Sequence, residues 1–150
     1  MNGSGATDRM SIKLARAHLD QIKREGEVSY PHECCGLLLG QLVDGAKVIM
    51  ETYPVNNARE DAAKYNRFLI PPDAMRGADQ YARSKKFDVL GFYHSHPNAE
   101  ARPSQFDLEH AWPFYSYIVV SVRDRQAGDL TCWKMQDDRS LFLPEELVVK

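Results

Sequence analysis

Phe87-Asp88-Val89-Leu90-Gly91-Phe92-Tyr93 runs straight into His94-Ser95-His96-Pro97, and Ala101-Arg102-Pro103-Ser104-Gln105-Phe106-Asp107 follows. The first seven residues form a short apolar run of the kind that makes a buried strand. On extended backbone, side chains alternate between faces, so His94 and His96 point the same way, about 6.5–7 Å apart along the chain. Pro97 keeps the strand from continuing. Seven residues separate His96 from Ser104, enough for the chain to turn back. Ser104-x-x-Asp107 is the pattern of a helix N-terminus, with Ser104 as the cap and Asp107 in the first turn. An acid placed there can project past the helix end toward the two histidines.

Outward from this stretch, the patterns predict alternating α and β elements. Ile12, Ala15, Leu19 and Ile22 have helical spacing, which predicts a helix from Ser11 to about Glu25, capped by Ser11 or Asp8 and stopped by Gly26. Two apolar runs, Gly36 to Val43 and Ala46 to Val55, flank Asp44-Gly45 and read as a β-hairpin. Asn56 to Arg67 is polar and non-periodic, the longest expected loop, and Arg67 to Ile70 has the character of a short strand. Pro71-Pro72-Asp73 opens a second helix to about Lys86. Ser104 to Trp112 reads as a short helix ended by Pro113. Phe114 to Val122, Leu130 to Met135 and Ser140 to Leu143 read as strands. The expected fold class is α/β, a mixed β-sheet sandwiched by helices, and not a doubly wound parallel sheet.

The 150 residues are 43% hydrophobic, which suits one domain with a proper core. The expected organisation is a flexible tail over 1–10 and a single domain over 11–150. The 19 basic and 21 acidic side chains leave a net charge of −2, and Lys85-Lys86 is the sole Lys-Lys pair. Neither favours a general nucleic-acid or anionic-membrane binder. The longest plain aliphatic run, Leu37 to Leu39, is far short of a membrane span. Met1 to Asp8 lacks the regions of a signal peptide. Three cysteines, two of them adjacent at Cys34 and Cys35, suggest no disulfide framework, and the expected location is the cytoplasm.

Two imidazoles and one carboxylate make three protein ligands and leave a fourth position for water, as a hydrolytic zinc needs. Iron(II) also uses two histidines and a carboxylate, so the ligand types leave the metal open. Hydrolysis needs a base as well. Glu33, in Pro31-His32-Glu33-Cys34-Cys35-Gly36, is the candidate, but it lies 61 positions before His94, and spacing alone does not bring the two together. Taken singly, each feature has an ordinary explanation. A His-x-His pair is usually structural, Ser104-x-x-Asp107 is a capping box, and Glu33 is a surface carboxylate. Their combination at these spacings favours a metal site.

The combination resembles the JAMM (JAB, MPN+) metalloprotease family. Its pattern is an upstream Glu, then His-Ser/Thr-His-Pro, then a Ser after seven residues and an Asp three further on. Glu33, His94, Ser95, His96, Pro97, Ser104 and Asp107 match every position, and Pro103 agrees as well. The resemblance implies an MPN/JAB domain of cytidine-deaminase-like architecture. It implies zinc held by His94, His96 and Asp107, Glu33 as general base and then acid, and Ser104 steadying the oxyanion. Only 43 residues follow Asp107 (150 − 107), which leaves no room there for the long insertions of the eukaryotic isopeptidases. The chain is more similar to the compact prokaryotic members. The implied substrate is a ubiquitin-like or sulfur-carrier protein, cut after its C-terminal Gly-Gly, with the tail adding itself to a sheet edge. Two rivals remain: a non-catalytic MPN-type scaffold, whose ligand set is usually broken, and a phage-tail-like peptidoglycan peptidase.

Other residues are expected to be structural. Alternation sends Cys34 and Cys35 to opposite faces, one of them near the metal, and Cys132 lies in a strand. His18 and His32 have no evident partner, and His110 shares the helix of Asp107. Tyr93 and Trp112 read as core. The loop from Asn56 to Asn66 is a candidate substrate clamp.

Overall fold

The computed structural model describes residues 11–55 and 70–150. The strands are β1 (Ser11–Leu14), β2 (Cys35–Val43), β3 (Ala46–Val55), β4 (Asp88–Pro97), β5 (Ser116–Arg123), β6 (Gln126–Met135), β7 (Phe142–Pro144) and β8 (Glu146–Val149). The helices are α1 (Arg16–Ser29), α2 (Pro72–Ser84) and α3 (Gln105–His110). All eight strands share one mixed sheet in the order β7-β6-β5-β4-β2-β3-β1-β8. β4 lies at its centre, antiparallel to β2 and parallel to β5, with α3 in the β4-to-β5 connection.

Leu37, Leu38 and Leu39 show why an unbroken apolar run belongs here. All three are fully buried: Leu38 joins Leu19 and Ile22 of α1 on one face, while Leu37 and Leu39 join Ala78 and Ala82 of α2 on the other. Helices cover both faces, as the sequence predicts. Each such leucine contributes about 1.5–3 kcal/mol by leaving water.

β4 carries one extra residue. Leu38 pairs with Gly91 and Leu39 with Val89, so Leu90 bulges and packs on the α1 face. The bulge resets the alternation. Beyond it, Tyr93 packs on the α1 face, and Phe92 lies on the α2 and α3 face. His94 and His96 share the parity of Phe92. Gly91 is required because a Cβ there would lie 2.1 Å from the Ser116 carbonyl oxygen.

The first predicted helix is corrected at both ends. Ser11–Leu14 is a strand with Ile12 and Leu14 buried and its neighbours less so, a period of two that pairing with β8 and β3 enforces. The helix begins at Arg16 and buries Leu19, Ile22 and Gly26. Ser11 is no cap; His18 Nδ1 instead accepts the Ala15 N–H at 3.2 Å. Gly26 does not stop the helix. A Cβ there would lie 3.0 Å from Val122 Cγ2 and 3.3 Å from Ser95 Cβ, so its lack of a side chain lets α1 sit close against β4 and β5.

β7 and β8 form opposite margins of the sheet yet are separated in sequence by Glu145 alone, so the sheet curls until its margins approach. The Glu145 N–H donates to the Cys132 carbonyl at 2.9 Å. Lys47 of β3 reaches across the curl to the Phe114 carbonyl and, at 2.8 Å, to Ser116 Oγ. The expected tail (1–10), the long loop with its clamp (56–66) and positions 67–69 of the short strand lie outside the described residues. Among the described residues, no helix is long and apolar enough to cross a membrane.

Candidate metal centre

His94 and His96 stand on the last turns of β4's alternation, and the loop that follows is fixed residue by residue. Asn98, at φ +58°, makes the left-handed turn that this residue type tolerates, and its N–H donates to the Val122 carbonyl at 2.7 Å. The Ala99 carbonyl accepts from Ser121 Oγ at 2.6 Å, and the Ala101 carbonyl accepts from Thr131 Oγ1 at 2.5 Å. The Glu100 carbonyl faces His96 Nδ1 at 3.0 Å. An N–H at Nδ1 leaves the lone pair of His96 at Nε2, as a metal ligand requires.

The returning chain enters α3 through a full capping box. Ser104 Oγ accepts the Asp107 N–H at 3.1 Å, and Asp107 Oδ2 accepts the Ser104 N–H at 2.7 Å. The capping reading of Ser104-x-x-Asp107 holds, and it does not exclude the site reading, because that same Oδ2 faces the two histidines. His94 Nε2 lies 3.1 Å from His96 Nε2 and 3.2 Å from Asp107 Oδ2, and His96 Nε2 lies 3.4 Å from Asp107 Oδ2. Three ligands on a tetrahedral ion at about 2.0–2.1 Å stand about 3.3–3.4 Å apart. His94, His96 and Asp107 thus have the donor types and separations of three corners of such a site, and they form a candidate metal-holding group.

The electrostatics suit a cation. Burial pushes the His94 imidazole below its ordinary pKa, and the neighbouring Asp107 only partly opposes this, so the ring is neutral near pH 7. Burial alone would raise the Asp107 carboxyl. His94, His96 and the Ser104 N–H outweigh it and hold the group well below the usual carboxylate range. A neutral His94 imidazole and an ionised Asp107 are protonation states that suit a divalent metal.

Glu33 is only 4% exposed, so it is not the surface carboxylate of the ordinary reading. Cys35 pairs with His94, and Cys34 is bonded to Ser95 in both directions, by Ser95 N–H to the Cys34 carbonyl at 3.1 Å and by Cys34 N–H to Ser95 Oγ at 2.8 Å. Glu33 directly precedes this bonded segment, two residues before Cys35, the cross-strand partner of His94.

The cysteines take opposite faces as expected: Cys34 packs with the α1 core, and Cys35 is His94's cross-strand partner. Burial pushes both thiols up to about 12, so neither is a thiolate near pH 7. Cys132 is buried and its thiol is raised by burial as well. Tyr93 is core, with its hydroxyl donating to Glu25 at 2.5 Å. Trp112 is not: it is 59% exposed. It stands beside a cavity of about 390 Å³ whose wall includes His94, Asp107, Phe92, Phe106 and Tyr115. His110 also borders this cavity and stacks on Phe106 with centroids 4.1 Å apart. Sequence reasoning missed the cavity and the Glu100 carbonyl. Phe106 in α3 and Trp112 just beyond its end, two large aromatics within five residues of Asp107, were the available signal.

Comparison with known proteins agrees with this architecture. A JAB1/MPN domain protein from Archaeoglobus fulgidus superposes with a TM-score of 0.55 at 22% identity, over 94% of this chain and 98% of that one. A protein from Salinibacter ruber matches at a TM-score of 0.73 and 39% identity, over 92% and 91%. The class is therefore a JAB/MPN α/β domain. Residues 15–136 match the family of prokaryotic homologs of the JAB domain, and the chain belongs to that family. It is 36% identical over 126 residues to the desampylase of Haloferax volcanii, covering 81% of this chain and 87% of that protein. It is 30% identical over 113 residues to the CysO-cysteine peptidase of Mycobacterium tuberculosis, covering 72% and 71%.

Proposed function

We propose that the protein is a zinc-dependent peptidase or isopeptidase. Its substrate is the amide bond after the C-terminal glycines of a ubiquitin-like or sulfur-carrier protein. The observation that carries this reading is the convergence of His94, His96 and Asp107 at 3.1–3.4 Å, and the burial of Glu33 two residues before His94's strand partner supports it. The peptidase names of the two curated relatives support the hydrolytic class. The resemblance to compact JAMM members supports the glycine-ended tail.

His94, His96 and Asp107 hold the metal, and Ser104 and Glu100 hold those ligands in turn through Asp107 Oδ2 and His96 Nδ1. Zinc bound there supplies Lewis acidity, lowering the pKa of a water toward neutrality and polarising the scissile carbonyl. Glu33 accepts the water's proton and returns it to the departing amine. Ser104 Oγ already accepts the Asp107 N–H, so its own proton remains to be donated to the developing oxyanion, where it acts mainly in the transition state. The strand bearing the histidines has β2 on one side and β5 on the other. The tail therefore reaches the metal from the α3 face, past Trp112 and Phe106, and any pairing with a sheet edge lies farther out.

The test is the intact mass of a ubiquitin-like carrier extended beyond its Gly-Gly, incubated with zinc-loaded protein. Native protein removes the extension, and Glu33→Gln binds zinc equally but loses roughly a hundredfold or more in kcat. Equal rates for the two proteins would remove Glu33 as the base. No cleavage of several carriers by zinc-loaded protein would move the reading to a wall peptidase or a scaffold.

A further inference from the structure

We infer that Ser95, the residue between the two histidines, is a positioning residue for Glu33: its side chain supplies the last rung holding the base-bearing segment against β4. The inference rests on the reading of Glu33 as the base.

The β2–β4 ladder has its last regular pair at Cys35 and His94. The next bonds both involve Ser95. Its N–H donates to the Cys34 carbonyl, but the Cys34 N–H is taken by Ser95 Oγ at 2.8 Å. A side chain thus replaces a backbone acceptor at the rung immediately before Glu33. On the other flank of Glu33, the chain is held by the turn over 29–32, where the His32 N–H donates to the Ser29 carbonyl at 2.8 Å and Ser29 Oγ bonds the His32 carbonyl at 3.1 Å. Glu33 is therefore suspended between a turn and the Ser95 hydroxyl.

Ser95 itself is fully buried and has the parity opposite to His94 and His96, so it is neither a metal ligand nor a substrate contact. A buried hydroxyl is retained where its hydrogen bond has a use. Its position is enforced from behind: a side chain at Gly26 of α1 would press to 3.3 Å from Ser95 Cβ. The helix, Ser95 and Cys34 form a stack that leads directly to Glu33. Proton transfer needs the base within about 2.6–3.2 Å of its partner, and an error near 1 Å costs about a hundredfold. Without the hydroxyl, the Cys34 N–H loses its acceptor and the segment can shift by that much.

The test compares Ser95→Ala, Ser95→Thr and Ser95→Cys with native protein and Glu33→Gln, all zinc-loaded. Ser95→Ala is expected to lower kcat roughly 10- to 100-fold, with KM and zinc stoichiometry unchanged. Ser95→Thr keeps an Oγ and restores kcat. Ser95→Cys keeps the volume with a weak acceptor and behaves like Ser95→Ala. A second readout needs no turnover: amide hydrogen exchange at Cys34 accelerates in Ser95→Ala and Ser95→Cys, while Leu38 and Leu39 keep their protection. Native kcat in Ser95→Ala, alongside an inactive Glu33→Gln, would overturn the positioning role and leave the base assignment standing. Loss of zinc together with kcat, or failure of threonine to rescue, would make Ser95 merely structural. Full activity in Glu33→Gln would remove the base assignment and this inference with it.

Discussion

Lys47→Met, at the closure of the sheet, is expected to destabilise the protein far more than its distance from the candidate site suggests. Lys47 is completely buried, donates to the Phe114 carbonyl and to Ser116 Oγ, and Ser116 Oγ in turn donates to Glu145 Oε1. Glu145 is 8% exposed, and its Oε2 has no hydrogen-bond partner among the described residues. Burial pulls the Lys47 ammonium below its ordinary 10.5, and Glu145 offsets this only in part, so its pairing with Glu145 does not fully repay the burial of the ammonium. Removing one half is nevertheless worse, because an uncompensated buried charge costs about 3–5 kcal/mol. At about 2–4 °C per kcal/mol for a chain of this size, Lys47→Met should melt roughly 6–20 °C lower. Lys47→Met with Glu145→Gln removes both charges and should recover most of that loss. The assay is thermal unfolding of zinc-free protein followed by circular dichroism at pH 7. A single variant melting within about 2 °C of native, or a double variant no better than the single, would refute the reasoning. The pH dependence has a definite sign. Between the lowered folded pKa and 10.5, the unfolded chain binds more protons at Lys47, so this group's contribution to stability rises with pH through that window. The rise should be absent in Lys47→Met.

Asp107→Ala should abolish stoichiometric zinc binding, since Oδ2 is the anionic corner of the triad and also caps α3 through the Ser104 N–H. Dialysis followed by elemental analysis checks this, and full zinc retention would strike Asp107 from the ligand set. Gly91→Ala places a methyl 2.1 Å from the Ser116 carbonyl oxygen and forces β4 and β5 apart. The expected cost is about 1–3 kcal/mol or more in urea unfolding, and a native midpoint would contradict the close approach.

The centre of the molecule was legible because its signals are local. The apolar run Phe87–Tyr93 leading into His94 and His96, the Ser104-x-x-Asp107 cap and the Asp-Gly hairpin each report a conformation that the backbone adopts at that place. The misreading at Ser11 has a physical source. Ile12 and Ala15 fit a helical period by chance, and pairing with β3 and with β8, the latter more than a hundred residues on, makes Ser11–Leu14 a strand. Gly26 was legible as special but not in what way: it marks close packing of a helix on a sheet and not an end. At the site, the three candidate ligands and Ser104 were visible as side-chain types at fixed spacings, whereas Glu33 stood out through the family resemblance. The Glu100 carbonyl was not, because any residue supplies a backbone acceptor.

The pairing of β1 with β8 sets an order of events during synthesis. Ser11–Leu14 emerges from the ribosome before every other described element, and Glu146–Val149 after all of them. Until then β1 has β3 as its neighbour through only Ile12 and Lys13, and its outer edge stays open. The nascent chain therefore carries an unsatisfied strand edge until Glu146–Val149 has been made. A polypeptide fused after Val149 hangs from the strand at the sheet's margin, whereas one joined ahead of Ser11 continues from that strand's inner neighbour. A slow-folding carboxy-terminal fusion partner would compete with that final step, and an amino-terminal one would be clear of it.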